Sequence, residues 1–544
     1  MKNIFVDRRQ FLIRTAGAAA ASGVLARGAT ADPAVVKTTK GQLRGAREDG
    51  FLVFKGVPYA GPSDGANRFK PPTKLEPWTG VRDALEYGHQ AVQNRDPNSL
   101  PGSSLAPLTE NCQFLNVWTP GVQDGKKRPV MFYSHGGGFA TGSGGWDKNP
   151  AHDGSALAKA YDVVVVTHNH RLGLMGYLYL GDILGEEYAA SGLTGMLDIV
   201  QALEWVRDNI SSFGGDPGNV MIWGESGGGA KVSTLLAMPS AHSLFHKASI
   251  ESGPGIKMTP RDAATATAKA LLADLGLSAG QARELLKVPT SRLLEFQAKY
   301  QNAGRGAVGG FAPVVDGHYL PSHPFDPVAP AISKNIPLIV GTNKDESIFQ
   351  LEHRPLPEVT KTFNLDEAGL RERVQTALGA KADKTDHVLE VMRRSRPNAS
   401  PTDLYIAITT GMGTWINSIL LAERKVEQKG APVYMYRFSY ESEVPVAATV
   451  NYPMKTPHAM EIAFKFNHPE NSSNAGKKPE RFQAARNMSQ AWATFAKTSN
   501  PSFAGIPSWP AYTLTDRATM ILDAQCTVVK DPFSVERQLW KELS

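Results

Sequence analysis

Cysteine is nearly absent: Cys112 and Cys526 are the only two in 544 residues. So few thiols exclude a disulfide-stapled scaffold, and neither cysteine sits in a metal-binding spacing. Two states stay open, one long-range bridge or two free thiols, and free thiols are the simpler reading. Net charge is also scarce, +6 from 58 basic and 52 acidic residues. Four of those six charges fall in residues 1–31, where Lys2, Arg8, Arg9, Arg14 and Arg27 face only Asp7, so the rest carries +2. That balance gives no basis for a nucleic-acid or acidic partner. Internal repeats and a domain linker are missing too, so residues 32–544 read as one elaborated domain. The apolar stretch Ala16 to Leu25 is too short to span a bilayer.

What is present fits a soluble globular protein: 42% hydrophobic and 20% charged residues supply an ample core. The segment Asp7-Arg8-Arg9-Gln10-Phe11-Leu12 resembles a twin-arginine export motif. A weakly apolar stretch follows, and Ala29-Thr30-Ala31 supplies an A-x-A cleavage site. Residues 1–31 are therefore expected to be a twin-arginine signal peptide. The mature chain is expected in the periplasm or secreted, with no stable membrane anchor after cleavage. A basic amphipathic helix on the mature domain fits less well, because small residues of low hydrophobicity make a poor core face.

Further along, apolar runs alternate with helical periodicity. Pro129 to Ser134 and Tyr161 to Thr167 read as buried parallel strands, as do Lys247 to Ile250, Leu338 to Val340 and Pro432 to Phe438. Met196, Val200, Leu203, Val206 and Ile210 recur at helical steps, stopped by Gly214-Gly215. This alternation predicts an α/β fold: a largely parallel central sheet with helices on both faces. Helix-rich inserts at 263–287 and 365–394, with polar loops at 95–107 and 467–480, are expected to cap the active-site end.

Val220-Met221-Ile222-Trp223-Gly224-Glu225-Ser226-Gly227-Gly228-Gly229 runs a strand into Gly-x-Ser-x-Gly, and a helical run follows to Ala237. Strand, sharp turn and helix form a nucleophile elbow, with Ser226 exposed at the strand end and helix N–H groups aimed at developing negative charge. Upstream, Ser134-His135-Gly136-Gly137-Gly138-Phe139 closes a strand with three glycines. Successive bare N–H groups are what an oxyanion hole needs.

Phe54-Lys55-Gly56-Val57-Pro58-Tyr59-Ala60, Arg68-Phe69, Glu110-Asn111-Cys112-Gln113-Phe114-Leu115-Asn116-Val117 and Phe213-Gly214-Gly215-Asp216-Pro217 complete a set of motifs. With them the chain resembles the type-B carboxylesterase and lipase family of α/β hydrolases over nearly all of its mature length. The resemblance implies the α/β-hydrolase fold and a Ser-His-Glu triad. The acid is implied at Glu346 in Gly341-Thr342-Asn343-Lys344-Asp345-Glu346, with Asp345 as rival, and the base at His458 in Pro457-His458-Ala459-Met460-Glu461-Ile462. His458 would take the Ser226 proton, Glu346 would hold the imidazole, and the N–H groups of Gly137, Gly138 and Gly227 would bind the oxyanion. An acyl-enzyme would then be hydrolysed by water. No metal or organic cofactor is required, and the implied partner is a small-molecule ester. A neutral base implies activity that falls on acidification with an apparent pKa of roughly 6 to 7.

Departures from the family pattern are informative. Gly227 stands where alanine is usual, and Ala91 or Val92 stands where a cysteine commonly bridges to the Cys112 position. Residues 91–111 contain no aromatic side chain, so the aromatic cage that holds a choline ester is missing. His168-Asn169-His170 places two imidazoles on one strand face, as metal sites sometimes do, but resembles a structural family stretch. Glu225 reads as a charge modulator or a structural acid, and Ser252 resembles a serine that supports the triad acid. Alternatives are amide, carbamate or lactone cleavage by the same triad, or a non-catalytic binding module on the same fold.

The leader predicts that replacing Arg8 and Arg9 together by lysine blocks export and leaves active enzyme in the cytoplasm. Mass spectrometry of exported protein checks the other half: a mature N-terminus near Asp32, not Met1.

Overall fold

Runs of β-branched and aromatic residues assemble into one 11-stranded sheet. The computed structural model describes residues 34–94, 108–145, 150–300 and 311–543. The expected signal peptide, 1–31, and the polar loop 95–107 lie outside the described residues. In chain order the strands are β1 (Ala46–Glu48), β2 (Phe51–Pro58), β3 (Phe114–Thr119), β4 (Arg128–Ser134), β5 (Val164–His168), β6 (Gly215–Glu225), β7 (Lys247–Glu251), β8 (Leu338–Asn343), β9 (Val433–Phe438), β10 (Ala518–Leu522) and β11 (Thr527–Lys530). In space they run β11-β10-β9-β8-β7-β6-β4-β5-β3-β2-β1. Every pairing from β5 across to β10 is parallel, and the outer pairings are antiparallel.

Side-chain alternation divides the core in two. Along β4, Val130 and Phe132 enter one apolar cluster while Met131 and Tyr133 enter the other; Ile222 and Trp223 of β6 divide the same way. Helix α1 (Thr194–Asn209) covers the first face with Met196, Ile199, Leu203 and Val206. Helix α2 (Gly227–Leu235) adds Val232 and Leu235 there. Helix α3 (Glu480–Thr498) covers the opposite face with Met488, Trp492 and Phe495. The expected layering of helices on both faces is what the chain adopts.

Local boundaries differ where caps intervene. Tyr161 ends a helix (Ser155–Tyr161) instead of opening a strand, because Asp162 takes a left-handed conformation and the strand starts at Val164. The 467–480 segment folds into short turns at Pro469–Asn471 and Ser473–Ala475. The 365–394 insert forms Glu367–Leu378 and Thr385–Ser395, which pack a third core with Pro401–Thr410 and the last helix, Ser534–Glu542. One helical run, Pro401–Glu427, is long and apolar enough to cross a membrane by length and composition, and its most apolar window is 61% buried inside the protein.

Both cysteines are free. Cys112 packs against Ala91 and Leu172 in a small apolar cluster, so Ala91 fills the place of the missing bridge partner.

Strand order reverses at β4, whose successor β5 lies on one side and β6 on the other. The C-terminal ends of the strands meet at this switch point, where open α/β sheets place their sites. The segment that follows β5 is held by a buried ion pair. Arg171 donates Nη2 to Asp198 Oδ1 at 2.7 Å and Nε to Asp198 Oδ2 at 2.9 Å, and its Nη1 reaches the Lys70 carbonyl at 2.7 Å. Two residues later, Gly173 N donates to the Phe139 carbonyl at 2.7 Å. Asp198→Ala would leave the Arg171 guanidinium buried without its counter-charge, so a loss of about 3–5 kcal/mol is expected, read as a denaturant-midpoint shift. A loss under about 1 kcal/mol would mean water replaces the carboxylate.

Candidate active site

Ser226 turns the chain from β6 into α2 with φ 57° and ψ −122°, a conformation that ordinary residues adopt only under constraint. The constraint is close packing. A Cβ on Gly228 would lie 2.0 Å from the Ser134 carbonyl oxygen, and one on Gly224 would lie 2.6 Å from the Gly228 carbonyl carbon. Only glycine lets strand and helix cross this near to β4. Ser226 N donates to the Glu251 carbonyl at 2.8 Å, pinning the elbow to the neighbouring strand. The Ser226 side chain is half-buried, and its hydroxyl makes no hydrogen bond to the described residues.

The glycine loop lies against this elbow. Gly137 and Gly138 take φ of 81° and 61°, and neither N–H has a partner among the described residues. A Cβ on Gly136 would sit 3.4 Å from the Ser226 Cβ. Gly227 opens α2, where a first-turn N–H has no acceptor within the helix. All three expected donors therefore gather beside Ser226.

His458 and Glu346 meet as expected: the imidazole Nδ1 lies 2.5 Å from Glu346 Oε2. The other oxygen of Glu346 accepts from Ser252 Oγ and from Asn343 N, both at 2.6 Å. Ser252 thus supports this acid directly. Asp345 faces elsewhere, exchanging backbone contact with Thr456 and accepting from Thr456 N at 3.3 Å. Of the two adjacent acids, Glu346 alone touches the imidazole.

The free edge of the imidazole does not meet the serine. His458 Nε2 lies 3.2 Å from Glu225 Oε1, on the residue before Ser226. Burial pushes the Glu225 carboxyl up, against the pull of His458. Burial also opposes the imidazolium, but Glu225 and then Glu346 outweigh it and raise His458 well above the ordinary imidazole range. This direction runs above the apparent pKa of 6 to 7 implied by the sequence.

Behind the triad lies a buried network that the sequence did not disclose. Lys465 Nζ donates to Glu251 and lies 3.5 Å from Glu461 Oε1, all three side chains being fully buried. Trp492 Nε1 donates to Glu251 Oε1 at 2.6 Å. Asn343 donates to Glu461 and, at 2.7 Å, to the Pro457 carbonyl, which ties β8 to the histidine-bearing segment. The i,i+4 pair Glu461 and Lys465 was the available signal, but such pairs usually lie on solvated helix faces.

His168 and His170 pack behind the glycine loop. The His168 ring stacks on Phe132 with centroids 4.6 Å apart, and Ser134 Oγ lies 3.0 Å from its Nε2. His170 lies 4.9 Å from the His135 ring. Among the described residues no group of three histidine, cysteine or acidic side chains is arranged to hold a metal ion.

The chain is similar to known proteins along nearly its whole length. The model of the carboxylesterase family matches residues 32–540. The chain is 36% identical to the para-nitrobenzyl esterase of Bacillus subtilis (strain 168), covering 93% of this chain and 98% of that one. It is 30% identical to phenmedipham hydrolase of Pseudarthrobacter oxydans, over 91% and 97%. Among solved structures, carboxylesterase EST55 of Geobacillus stearothermophilus superposes with a TM-score of 0.77 at 37% identity, covering 93% of this chain and 99% of that one.

Glu225→Gln removes a carboxylate from the imidazole edge, so the protonated base loses support. The acid limb of kcat/KM is expected above pH 7 in the wild type and lower by about one pH unit or more in the variant. An unchanged or raised midpoint would mean that Glu225 does not charge the histidine.

Proposed function

The chain belongs to the carboxylesterase family and is a carboxylic ester hydrolase of the α/β-hydrolase fold, and we propose that it works through Ser226, His458 and Glu346 with an acyl-enzyme intermediate. The observation that carries this reading is the 2.5 Å contact between His458 Nδ1 and Glu346 Oε2, made beside a strained serine at a helix N-terminus.

In this mechanism His458 is the base. It takes the Ser226 proton as Oγ attacks the ester carbonyl, and Glu346 fixes the tautomer that leaves Nε2 free and balances the imidazolium. The carbonyl oxygen becomes an oxyanion held by the N–H groups of Gly137, Gly138 and Gly227. His458 returns its proton to the leaving alcohol, and a water activated by the same base releases the acid. The reaction needs the imidazole edge to face Ser226, so the approach of the ester must compete with the contact to Glu225. The proposed substrate is a small-molecule ester. Export by the twin-arginine route belongs to the same proposal, supported by Arg8, Arg9 and the Ala29-Thr30-Ala31 site.

Ser226→Ala and His458→Ala are each expected to lower turnover of an aryl ester by about 10⁴- to 10⁶-fold, with the double variant little worse than either. Glu346→Gln should cost far more than Asp345→Asn. Labelling with an organophosphate, followed by peptide mapping, should place the adduct on Ser226. Ser226→Ala retaining above about a tenth of wild-type turnover would sink the mechanism, and the reverse ranking of the two acids would move the acid to Asp345.

A further inference from the structure

The helix that leaves the elbow is uncharged except at one position. From Gly227 to Ala237 only Lys231 carries charge, and its side chain is fully buried. A buried ammonium is costly unless its donors are used. Among the described residues no carboxylate pairs with it. Instead Nζ donates to two backbone carbonyls, His135 O and Gly138 O, each at 2.9 Å, and sits 5.7 Å from the Phe139 ring centroid. Burial pulls the group down to about 7, opposed by Glu225. An ammonium offers three N–H bonds and a neutral amine two, so either form serves both carbonyls. No other described donor reaches either oxygen.

These two oxygens bracket the oxyanion loop. His135 O belongs to the peptide plane just before the one that carries the Gly137 N–H. Gly138 O belongs to the plane just after the one that carries the Gly138 N–H. Between them the planes are set by short-range contacts: His135 Nδ1 lies 2.9 Å from Gly136 O, and Thr141 N donates to Gly137 O at 3.1 Å. Two successive left-handed glycines have no side chains with which to lock such a loop. It rests directly on the helix: a Cβ at residue 227 would lie 2.2 Å from Gly138 O and 2.4 Å from Gly138 N. The glycine that departs from the family pattern therefore leaves no vacancy, because the loop backbone occupies it.

We propose that Lys231 is a positioning residue for the oxyanion hole, clamping both ends of the 135–138 loop onto the first turn of α2 so that the donors of Gly137, Gly138 and Gly227 converge beside Ser226. Gly227 and Lys231 act as a pair. The first lets the loop approach, and the second holds it there. The ammonium itself touches no reacting atom, and its effect is carried by the peptide planes it orients. This inference rests on the proposed role of Ser226 and of the loop.

The test begins with wild type titrated by an organophosphate, which counts reactive Ser226; failure to label Ser226 defeats the mechanism and not this inference alone. In labelled-competent protein, Lys231→Met keeps an unbranched apolar side chain and deletes both donors. The expected result with p-nitrophenyl acetate is a fall in kcat of about 10- to 100-fold with KM changed less than about threefold, because displaced donors act on the transition state. Affinity for a trifluoromethyl ketone, which binds as an oxyanion adduct, should fall by the same factor. Should that variant not fold, Lys231→Gln takes its place: one shorter amide cannot serve both carbonyls, and the same loss is expected in smaller measure. A folded variant of either kind with kcat and ketone affinity within twofold of wild type overturns the proposal. So does a variant that loses thermal stability while kcat stays unchanged, which would make Lys231 a packing residue only.

Discussion

Three backbone segments pass within contact of one another at Ser226, and the architecture depends on that crossing. The end of β4 presses on Gly224 and Gly228, and the segment after β7 presses from the other side, where a Cβ on Gly253 would meet the Ser226 carbonyl oxygen at 1.7 Å. The strained turn costs on the order of 1–3 kcal/mol. It persists because relaxing it would pull Ser226 N from Glu251 O and open the packing of Trp223 against Tyr133 and Phe466, whose ring centroids lie 4.7 and 4.9 Å from its own. Burial of one such aromatic alone offsets a cost of that size. The same crossing aims the start of α2, the glycine loop and the serine at one point.

Charge is concentrated behind that point. Glu225, Glu251, Glu346 and Glu461 are all buried, and Lys465 is the fixed cation among them. Taking carboxylates out of water costs several kcal/mol each unless they are paired and hydrogen-bonded. Lys465, Trp492, Ser252 and Asn343 satisfy much of this demand, and the remaining negative field falls on His458. That field favours imidazolium over the neutral imidazole that the proposed base would need. In the proposed reaction it also favours the imidazolium that would form as Ser226 loses its proton. Each pKa unit of such a bias is worth about 1.4 kcal/mol, so under the proposed mechanism support for the transition state comes at the expense of neutral base.

Helices on the two faces serve unequal ends. α3 supplies Trp492, which both fills the core and donates to Glu251, so one side chain links packing to the acid cluster. α2 supplies the helix terminus and, through Lys231, contact with the loop it faces. The ion pair of Arg171 with Asp198 braces the loop from the third direction through Gly173 and Phe139.

The alternation of strands and helices, the elbow at Ser226 and the pairing of Glu346 with His458 were legible because each is a local pattern: period-2 and period-3.6 spacing, glycines at a turn, and short motifs around Glu346 and His458. The choice of Glu346 over Asp345 rested on motif position and agrees with the contacts each makes. Other features had no local signature. Lys231 and Lys465 look like ordinary surface lysines in the chain, and Glu225 was open between two roles. Whether such a group is solvated or buried depends on which distant backbone arrives beside it, through pairs separated by 93 and 214 positions. By itself the sequence determined the family, the alternation of elements and the candidate residues at the site. Only the tertiary structure decided what Ala91 and Gly227 make room for, which edge of His458 faces Glu225, and how far burial shifts the charges, because dielectric and contact are properties of packing and not of the chain.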